Sequence, residues 1–299
     1  MLETVLTILK GALEEGLVYA TMALGVYITY KILDFPDLSV DGTFPLGAAI
    51  TAMLITKGVS PILSLLISFA AGALAGMLTG IIHVKFKVRD LLAGIIVMTA
   101  LYSINLRITG GKANVPIFTK ETIFNNAFFG KMPKAVQPYL GLAVLFFIVL
   151  LMKFLLDRYL KTKSGYLLRA VGDNETVVTS LAKDKGTIKI IGLAIANAFV
   201  ALSGSVYAQK SGFFDIYSGT GTMVMGLASV IIGINLFKKV SFMKATSAVV
   251  LGSIVYKICV AIAISLGLET SDLKLITAVL FFIILVVSND RKRRAKGNA

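Results

Sequence analysis

The chain has 299 residues, of which 57% are hydrophobic and 15% are charged, and its mean hydropathy is +0.85. This composition excludes a soluble domain of this size and predicts an all-α polytopic protein of the cell membrane. The formal net charge of +14 does not indicate a nucleic-acid partner, because the basic residues cluster at the ends of apolar segments and in the tail RKRRAKGNA.

The apolar segments predict about nine transmembrane helices, and the whole chain, 1–299, is expected to form one transmembrane domain. Several segments are shorter than the roughly 20 residues that a hydrocarbon core requires, so tilted or broken helices are expected. Residues 1–15 are amphipathic and predict an interfacial helix. Lys and Arg concentrate in alternate loops, which places the N-terminus outside and the C-terminus inside. The predicted spans are 16–33, 44–57, 61–83, 90–106, 138–156, 188–209, 220–236, 244–266 and 272–288.

The segment 34–47, DFPDLSVDGTFPLG, interrupts the apolar pattern with three Asp, two Pro and two Gly residues. This content predicts a broken helix. Irregular backbone at membrane depth is stable only where it is buried in protein or lines a wet cavity, and transporters use such breaks to contact substrate. The interleaved apolar residues favour a pathway-lining segment over an ordinary cytoplasmic turn. The pathway candidates here are Asp37, Ser39, Asp41, Thr43 and Phe44.

The third predicted span carries a face of small residues. Gly72, Gly76 and Gly80 recur every fourth position, and a small-xxx-small face lets another helix approach closely. The partner is expected to be either another helix of this chain or a second copy of the protein.

Three further polar side chains lie inside predicted spans, namely Asn105, Asn197 and Lys257. Polar groups at membrane depth are candidates for function, so these residues join the predicted translocation pathway. Lys257 can face the bundle or a cavity, where an acid could pair with it, or extend its ammonium group outward.

Catalytic and metal-binding motifs are not found in the sequence. It has no G-x-x-x-x-G-K-[ST], no H-E-x-x-H, no G-x-S-x-G and no pair of cysteines. His83 and Cys259, each the single residue of its type, fit no metal pattern. The chain is therefore predicted not to be an enzyme and to bind no metal or cofactor, and uphill transport would need a partner or an ion gradient.

A polar loop, 157–187, separates the fifth and sixth predicted spans, and its many basic residues mark it as cytoplasmic. Ser164 can cap a short helix, GYLLRAV, that Gly172 would end. Asp173 or Asn174 can cap a second helix, ETVVTSLAK, that would end at the following DKG turn. A simple reversal of the chain needs only a few residues, so this loop is expected to dock a cytoplasmic partner.

The run GYLLRAVGDN at 165–174 resembles the cytoplasmic coupling segment of ABC importer permeases of the branched-chain amino acid and ribose type. Those permeases carry the pattern G-x-x-L-R-A-V-G-x-N, followed by a short helix and a membrane span. The next span here, IIGLAIANAFVALSGSVYA, is similar to that family's following helix. DLSVDG at 37–42 resembles the D-L-S-V-G element of the sugar-type members. The run DLSVDGTFPLGAA resembles the sequences of one branch of this family. That branch is paired with TrpX-type binding lipoproteins and is linked to aromatic amino acid uptake.

This resemblance implies a mechanism with several partners. Two permease copies, expected as a homodimer, would form the pathway, and two cytoplasmic ATPase subunits, which bind ATP and Mg, would receive the helices of 165–183. An extracellular substrate-binding lipoprotein would deliver substrate to the loops 107–137 and 210–219. The coupling residues that the resemblance implies are Gly165, Leu168, Arg169, Ala170, Val171, Gly172, Asp173 and Asn174.

The predicted function is that of the permease subunit of an ABC importer for amino acids, with tryptophan or tyrosine as the substrates that the branch suggests. One alternative is an ion-coupled secondary transporter that uses Asp37, Asp41 and Lys257 as a charge relay. Another is an ABC permease for a sugar or nucleoside. The coupling loop separates the first alternative from the others, because an ion-coupled carrier has no need of it.

Overall fold

The computed structural model describes residues 2–126, 132–133, 136–174, 184–238, 240, 243–266, 272 and 275–286. These residues are mostly helical, with one two-stranded sheet. The helices are α1 (Leu2–Val26), α2 (Val40–Thr56), α3 (Pro61–Lys85), α4 (Asp90–Ile108), α5 (Gln137–Tyr159), α6 (Lys163–Asp173), α7 (Lys185–Ser211), α8 (Thr222–Leu236), α9 (Ala245–Ser265) and α10 (Leu275–Val286), and the strands are β1 (Asn114–Pro116) and β2 (Phe213–Asp215).

Six helical segments in the described residues are long and apolar enough to cross a membrane. They are Pro61–Lys85, Asp90–Ile108, Tyr139–Tyr159, Lys185–Ser211, Ile216–Leu236 and Ala245–Ser265. Helices α2 and α10 are apolar but shorter. The prediction of an all-α polytopic membrane protein is confirmed.

The N-terminal region forms one long helix, so the prediction of a separate interfacial helix at 1–15 is wrong. Helix α1 runs from Leu2 to Val26 and continues through a π-helical turn, Tyr27–Ile32. Charged residues of its first half are bound to the bundle, since Glu14 pairs with Lys210 of α7 at 2.6 Å. Because these charges have partners inside the protein, they do not break the helix.

The break between α1 and α2 is shorter than the predicted 34–47. Irregular backbone covers only 33–39, and α2 begins at Val40 and includes Pro45. A proline removes one backbone hydrogen bond from a helix, but the first turns of α2 are buried among other elements, and Gly219 packs directly on the Pro45 ring. Tertiary packing therefore supports a helix that the local sequence argues against.

Helix α7 is the centre of the bundle, and the glycine face of α3 packs against it within the same chain. A Cβ atom at Gly76 would overlap the carbonyl of Leu193, and one at Gly72 would lie 2.5 Å from the carbonyl oxygen of Asn197. The two backbones are therefore in contact, as small residues at helix interfaces permit. Dispersion contacts between the helices depend on this spacing.

The two ends of α7 lie beside different structures. Near its beginning, Gly192 contacts Leu168 of α6. At its other end it leads directly into β2, which pairs antiparallel with β1, so that Val115 lies opposite Phe214. The 27 residues of α7 span about 40 Å at 1.5 Å per residue. Helix α6 and the small sheet therefore lie at opposite ends of the bundle.

Gly76→Ala is expected to destabilise the protein by about 1–3 kcal/mol, because the added methyl group overpacks the contact between α3 and α7. The matched control is Gly11→Ala in α1, where a Cβ would meet no atom within 4 Å. That control should be neutral or stabilising by up to about 1 kcal/mol, since Ala favours helix. Reversible unfolding in detergent measures both. Equal effects of the two variants would contradict the close approach.

Candidate functional site

Helix α6 starts earlier and ends later than the sequence predicted. Its N-cap is Thr162, whose hydroxyl accepts a hydrogen bond from the Gly165 N–H at 3.3 Å, and not Ser164. Ser164 lies in the first turn, where its hydroxyl bonds to a tyrosine of α5. The helix also continues through Gly172 to Asp173, so Gly172 does not end it.

The two faces of α6 differ sharply. Leu168 and Val171 are buried, with 0% and 1% of their surface exposed. Tyr166, Arg169 and Asp173 are exposed, and their spacing of three and four residues places them on one stripe of the helix. The buried face attaches α6 to the bundle, and the exposed stripe presents an aromatic ring and both signs of charge.

The glycine at position 172 serves packing inside the chain. A Cβ there would overlap the carbonyl of Ile32 and lie 3.1 Å from the Cα of Leu33. Helix α6 therefore rests directly on the end of α1, where the broken segment 33–39 begins. A shift of α6 would be transmitted to this segment by backbone contact.

The second predicted cytoplasmic helix, 175–183, lies outside the described residues. The predicted DKG turn that follows is instead the start of α7, with Asp184 as its N-cap. Hydrogen bonds from the Thr187 hydroxyl and from the N–H groups of Gly186 and Thr187 hold the pKa of Asp184 below its usual value. Because the folded pKa is depressed, this cap contributes stability at neutral pH and loses it as the pH falls through that pKa.

A buried polar network holds the broken segment against α7. Asp37, Ser39 and Asn197 are all fully buried. One Asp37 oxygen accepts from the Ser39 N–H at 2.9 Å, and the other accepts from Asn197 Nδ2 at 2.7 Å. The Ser39 hydroxyl donates to Asn197 Oδ1 at 3.2 Å. Both carboxylate oxygens therefore have partners, as a buried charge requires.

Asp41, in the first turn of α2, caps the first turn of α8. Its carboxylate accepts from the N–H groups of Gly221 and Met223 at 3.0 and 2.8 Å, and from the Thr222 hydroxyl at 3.0 Å. A carboxylate at a helix N-terminus satisfies free N–H groups and favours the helix dipole. Gly221, which precedes α8, has a left-handed conformation and provides no side chain for this purpose. Asp41 thus ties α2 to α8.

Two other pathway candidates, Thr43 and Phe44, lie in α2 and have packing contacts. The Thr43 hydroxyl donates to the carbonyl of Ser39, the residue that precedes the helix. Phe44 is fully buried and stacks on Tyr19, with ring centroids 5.6 Å apart, and also contacts Tyr207 at 5.5 Å. These aromatic contacts join α1, α2 and α7.

Lys257 faces the protein and pairs with an acid. Its ammonium group lies 3.0 Å from a carboxylate oxygen of Glu15 and 4.1 Å from the centroid of the Tyr19 ring. Asp37 and Asp41 have different partners, so the three ionisable groups of the proposed charge relay belong to three separate networks.

A cleft of about 440 Å³ lies between α2, α4 and the turn Ile216–Gly219, and Asp41 and Asn105 line it. Tyr102 and Tyr217 also line it, and the sequence prediction did not include them. Tyr102 stands three residues before Asn105, so polar residues one turn away along α4 could have indicated it. Tyr217 comes from a distant loop and has no comparable signal in the sequence.

The fold and its elements define a polytopic helical membrane protein. The family described as "Branched-chain amino acid transport system / permease component" matches residues 8–288. The chain belongs to this family, so the predicted ABC importer permease is confirmed. No solved structure gives a match.

Three curated relatives show the range of similarity. A tyrosine transport system permease protein of Clostridioides difficile (strain R20291) is 48% identical over 97% of this chain and 94% of its own length. An uncharacterized protein of Rickettsia prowazekii (strain Madrid E) is 32% identical over 94% of this chain and 97% of its own. A ribose import permease protein of Escherichia coli (strain K12) is 24% identical over 75% of this chain and 68% of its own.

Asp41→Ala is expected to lower the free energy of unfolding by about 2 kcal/mol, because three groups of α8 lose their acceptor. Faster amide exchange should appear first at Gly221 and Met223. The control is Asp184→Ala, which removes an exposed cap from α7 and should leave exchange at the start of α8 unchanged. Unaltered exchange at Gly221 and Met223 in Asp41→Ala would show that Asp41 does not hold α8.

Proposed function

We propose that this protein is the transmembrane subunit of an ABC importer for amino acids and that cytoplasmic ATPase subunits dock on α6. The observation that carries the docking proposal is the division of α6 into a buried face, with Leu168 and Val171, and an exposed stripe, with Tyr166, Arg169 and Asp173. A helix that served only to reverse the chain would not need such a stripe. Arg and Tyr are also the residues most often found at the centre of protein interfaces.

The route from the ATPase to the pathway follows backbone contacts. Gly172 of α6 rests on Ile32, and the segment 33–39 after Ile32 is held to α7 through Asp37 and Asn197. Movement of α6 during ATP binding and release would therefore reach the broken segment and, through Asp41, the first turn of α8. In this proposal ATP and Mg are bound by the ATPase and not by this chain.

The pathway itself is assigned to the cleft beside α8. Of the predicted pathway residues, Asp41 and Asn105 line this cleft. The other predicted pathway residues near the break would hold the helices around the cleft without lining it, because they are fully buried: Asp37, Ser39, Thr43, Phe44 and Asn197. A 3-10 turn, Ile216–Gly219, and two further residues interrupt the chain before α8 and lie next to the cleft, as transporter sites with broken helices do.

The proposed membrane arrangement has nine spans in a single domain. The six long apolar helices would be completed by α1, α2 and α10, with the N-terminus outside and the C-terminus inside. The 17 residues of α2 extend only about 26 Å, less than a hydrocarbon core of about 30 Å, which suits a helix that starts from a buried break. Two copies would form the transporter as a homodimer.

The paired strands β1 and β2 support a docking site for the binding protein. They join the two predicted outer loops, 107–137 and 210–219, through the register Asn114 to Asp215. The described parts of the two loops are therefore held together at the end of the bundle opposite α6. An extracellular substrate-binding lipoprotein is the proposed partner there.

The substrate class is proposed from the relatives. The relative at 48% identity is named a tyrosine transport system permease, whereas the ribose permease is half as similar, at 24%. An aromatic amino acid is therefore favoured over a sugar or nucleoside. The ion-coupled alternative receives no support, because Asp37, Asp41 and Lys257 do not form one relay.

Arg169→Glu is expected to weaken ATPase binding by at least about tenfold, because it reverses the charge at the middle of the exposed stripe. The measurement is co-purification with the ATPase subunit, followed by substrate-stimulated ATP hydrolysis in lipid vesicles. The matched control is Arg89→Glu, the same change at an exposed position immediately before α4. Equal ATPase binding by the wild type and Arg169→Glu would overturn the docking proposal.

A further inference from the structure

The cleft between α2 and α4 has an unusual balance of polar groups. Its walls include the carboxylate of Asp41, the amide of Asn105 and the hydroxyls of Ser103 and Thr220, together with apolar side chains. Its volume of about 440 Å³ falls within the roughly 300–1,000 Å³ that small-molecule sites occupy. No lysine or arginine is among the described residues that line it. The charge of the wall therefore favours a cationic group over an anionic one.

Asn105 carries an unpaired acceptor in the wall of this cleft. Its side chain is fully buried, and its Oδ1 atom has no hydrogen-bond partner among the described residues. The Nδ2 group donates to the Gly42 carbonyl at 3.2 Å. This bond fixes the orientation of the amide, because the opposite orientation would bring two oxygen acceptors together. The unpaired atom is therefore an acceptor, and it calls for a ligand that donates.

An unpaired buried acceptor raises the free energy of the unliganded protein. A ligand that donates a hydrogen bond to Asn105 Oδ1 would recover this free energy on binding, and an ammonium group donates the strongest such bonds available to a small metabolite. Asp41, although its oxygens already accept bonds from α8, adds negative charge on the same side. Asp41 is the only charged residue among the described residues that line the cleft, so it would repel a carboxylate ligand.

Two tyrosines at the cleft provide a surface for an aromatic ring. Tyr102 and Tyr217 are 44% and 63% exposed, and both line the cleft. Exposed aromatic rings are suited to stacking against a second ring and to contact with a cation. They come from α4 and from the turn before α8, so both sides of the cleft contribute.

We propose that this cleft binds an aromatic amino acid by its α-ammonium group, with Asn105 Oδ1 as the acceptor and with the rings of Tyr102 and Tyr217 against the substrate's ring. The proposal rests on the proposed function as an amino acid importer. It adds the position of the substrate and the group by which the permease selects it. Amines without a carboxylate should therefore bind, and carboxylates without an amine should not.

The test uses the full chain in lipid nanodiscs without ATPase, and measures ligand binding by saturation-transfer NMR, which detects weak complexes. The probes are L-tyrosine, tyramine and hydroxyphenylpropionate, of which the last lacks the ammonium group. L-Tyrosine and tyramine are expected to give transfer signals, and hydroxyphenylpropionate is expected to give none. Asn105→Ala should weaken binding of both amines on the order of tenfold, the loss expected for one charge-assisted hydrogen bond.

A second variant tests the proposal in case Asn105→Ala does not fold. Tyr102→Ala alters an exposed side chain and should weaken the binding of both L-tyrosine and tyramine. Its control, Tyr139→Ala at the exposed start of α5, should leave the binding of both ligands unchanged. The proposal would be overturned if hydroxyphenylpropionate bound as strongly as tyramine. It would also be overturned if Asn105→Ala left the binding of the two amines unchanged, or if neither amine bound to the wild type. Co-purification of the ATPase with the same protein variants, in a separate preparation, reports on the proposed function, so the two proposals can fail independently.

Discussion

A single buried carboxylate holds the centre of this permease together. Asp37 has no exposed surface, so its charge is tolerable only because Ser39 and Asn197 donate to both of its oxygens. These bonds fasten the irregular segment 33–39 to the middle of α7. The segment joins α1, which precedes it, to α2, which follows it, so its attachment to α7 fixes where these two helices meet.

Close backbone packing makes the network possible. Glycines of α3 bring its backbone against Asn197 and Leu193, which covers the network and keeps lipid and water away from it. The same device recurs where α2 crosses α7, since a Cβ at Gly204 would overlap the carbonyl of Phe44. Small residues thus replace the hydrophobic driving force that helices lack among lipid tails.

The arrangement explains how a cytoplasmic event could reach a site within the membrane. Contacts lead from α6 through Gly172 to Ile32, then through the broken segment to Asp41 and the start of α8. The contacts are backbone contacts and charge-assisted hydrogen bonds rather than flexible side-chain contacts. In the proposed mechanism they would carry a displacement of α6 to the cleft beside α8.

The sequence by itself determined the class of protein and most of the elements. Hydropathy located the long helices, and the run at 165–174 identified the family. Both signals depend only on residues that are neighbours in the sequence. Boundaries set by packing were missed: Pro45 lies inside a helix, and residues 2–15 are part of α1.

Only the tertiary structure decided what the polar residues do. In the sequence, Asp37, Asp41 and Lys257 are all ionisable residues at predicted pathway positions. In the structure, Asp37 is buried against Asn197, Asp41 caps α8 and Lys257 pairs with Glu15. Their partners lie some 160 to 242 positions away along the chain. Local periodicity carries no information about contacts at that separation, because they arise only when the packed helices bring distant residues together.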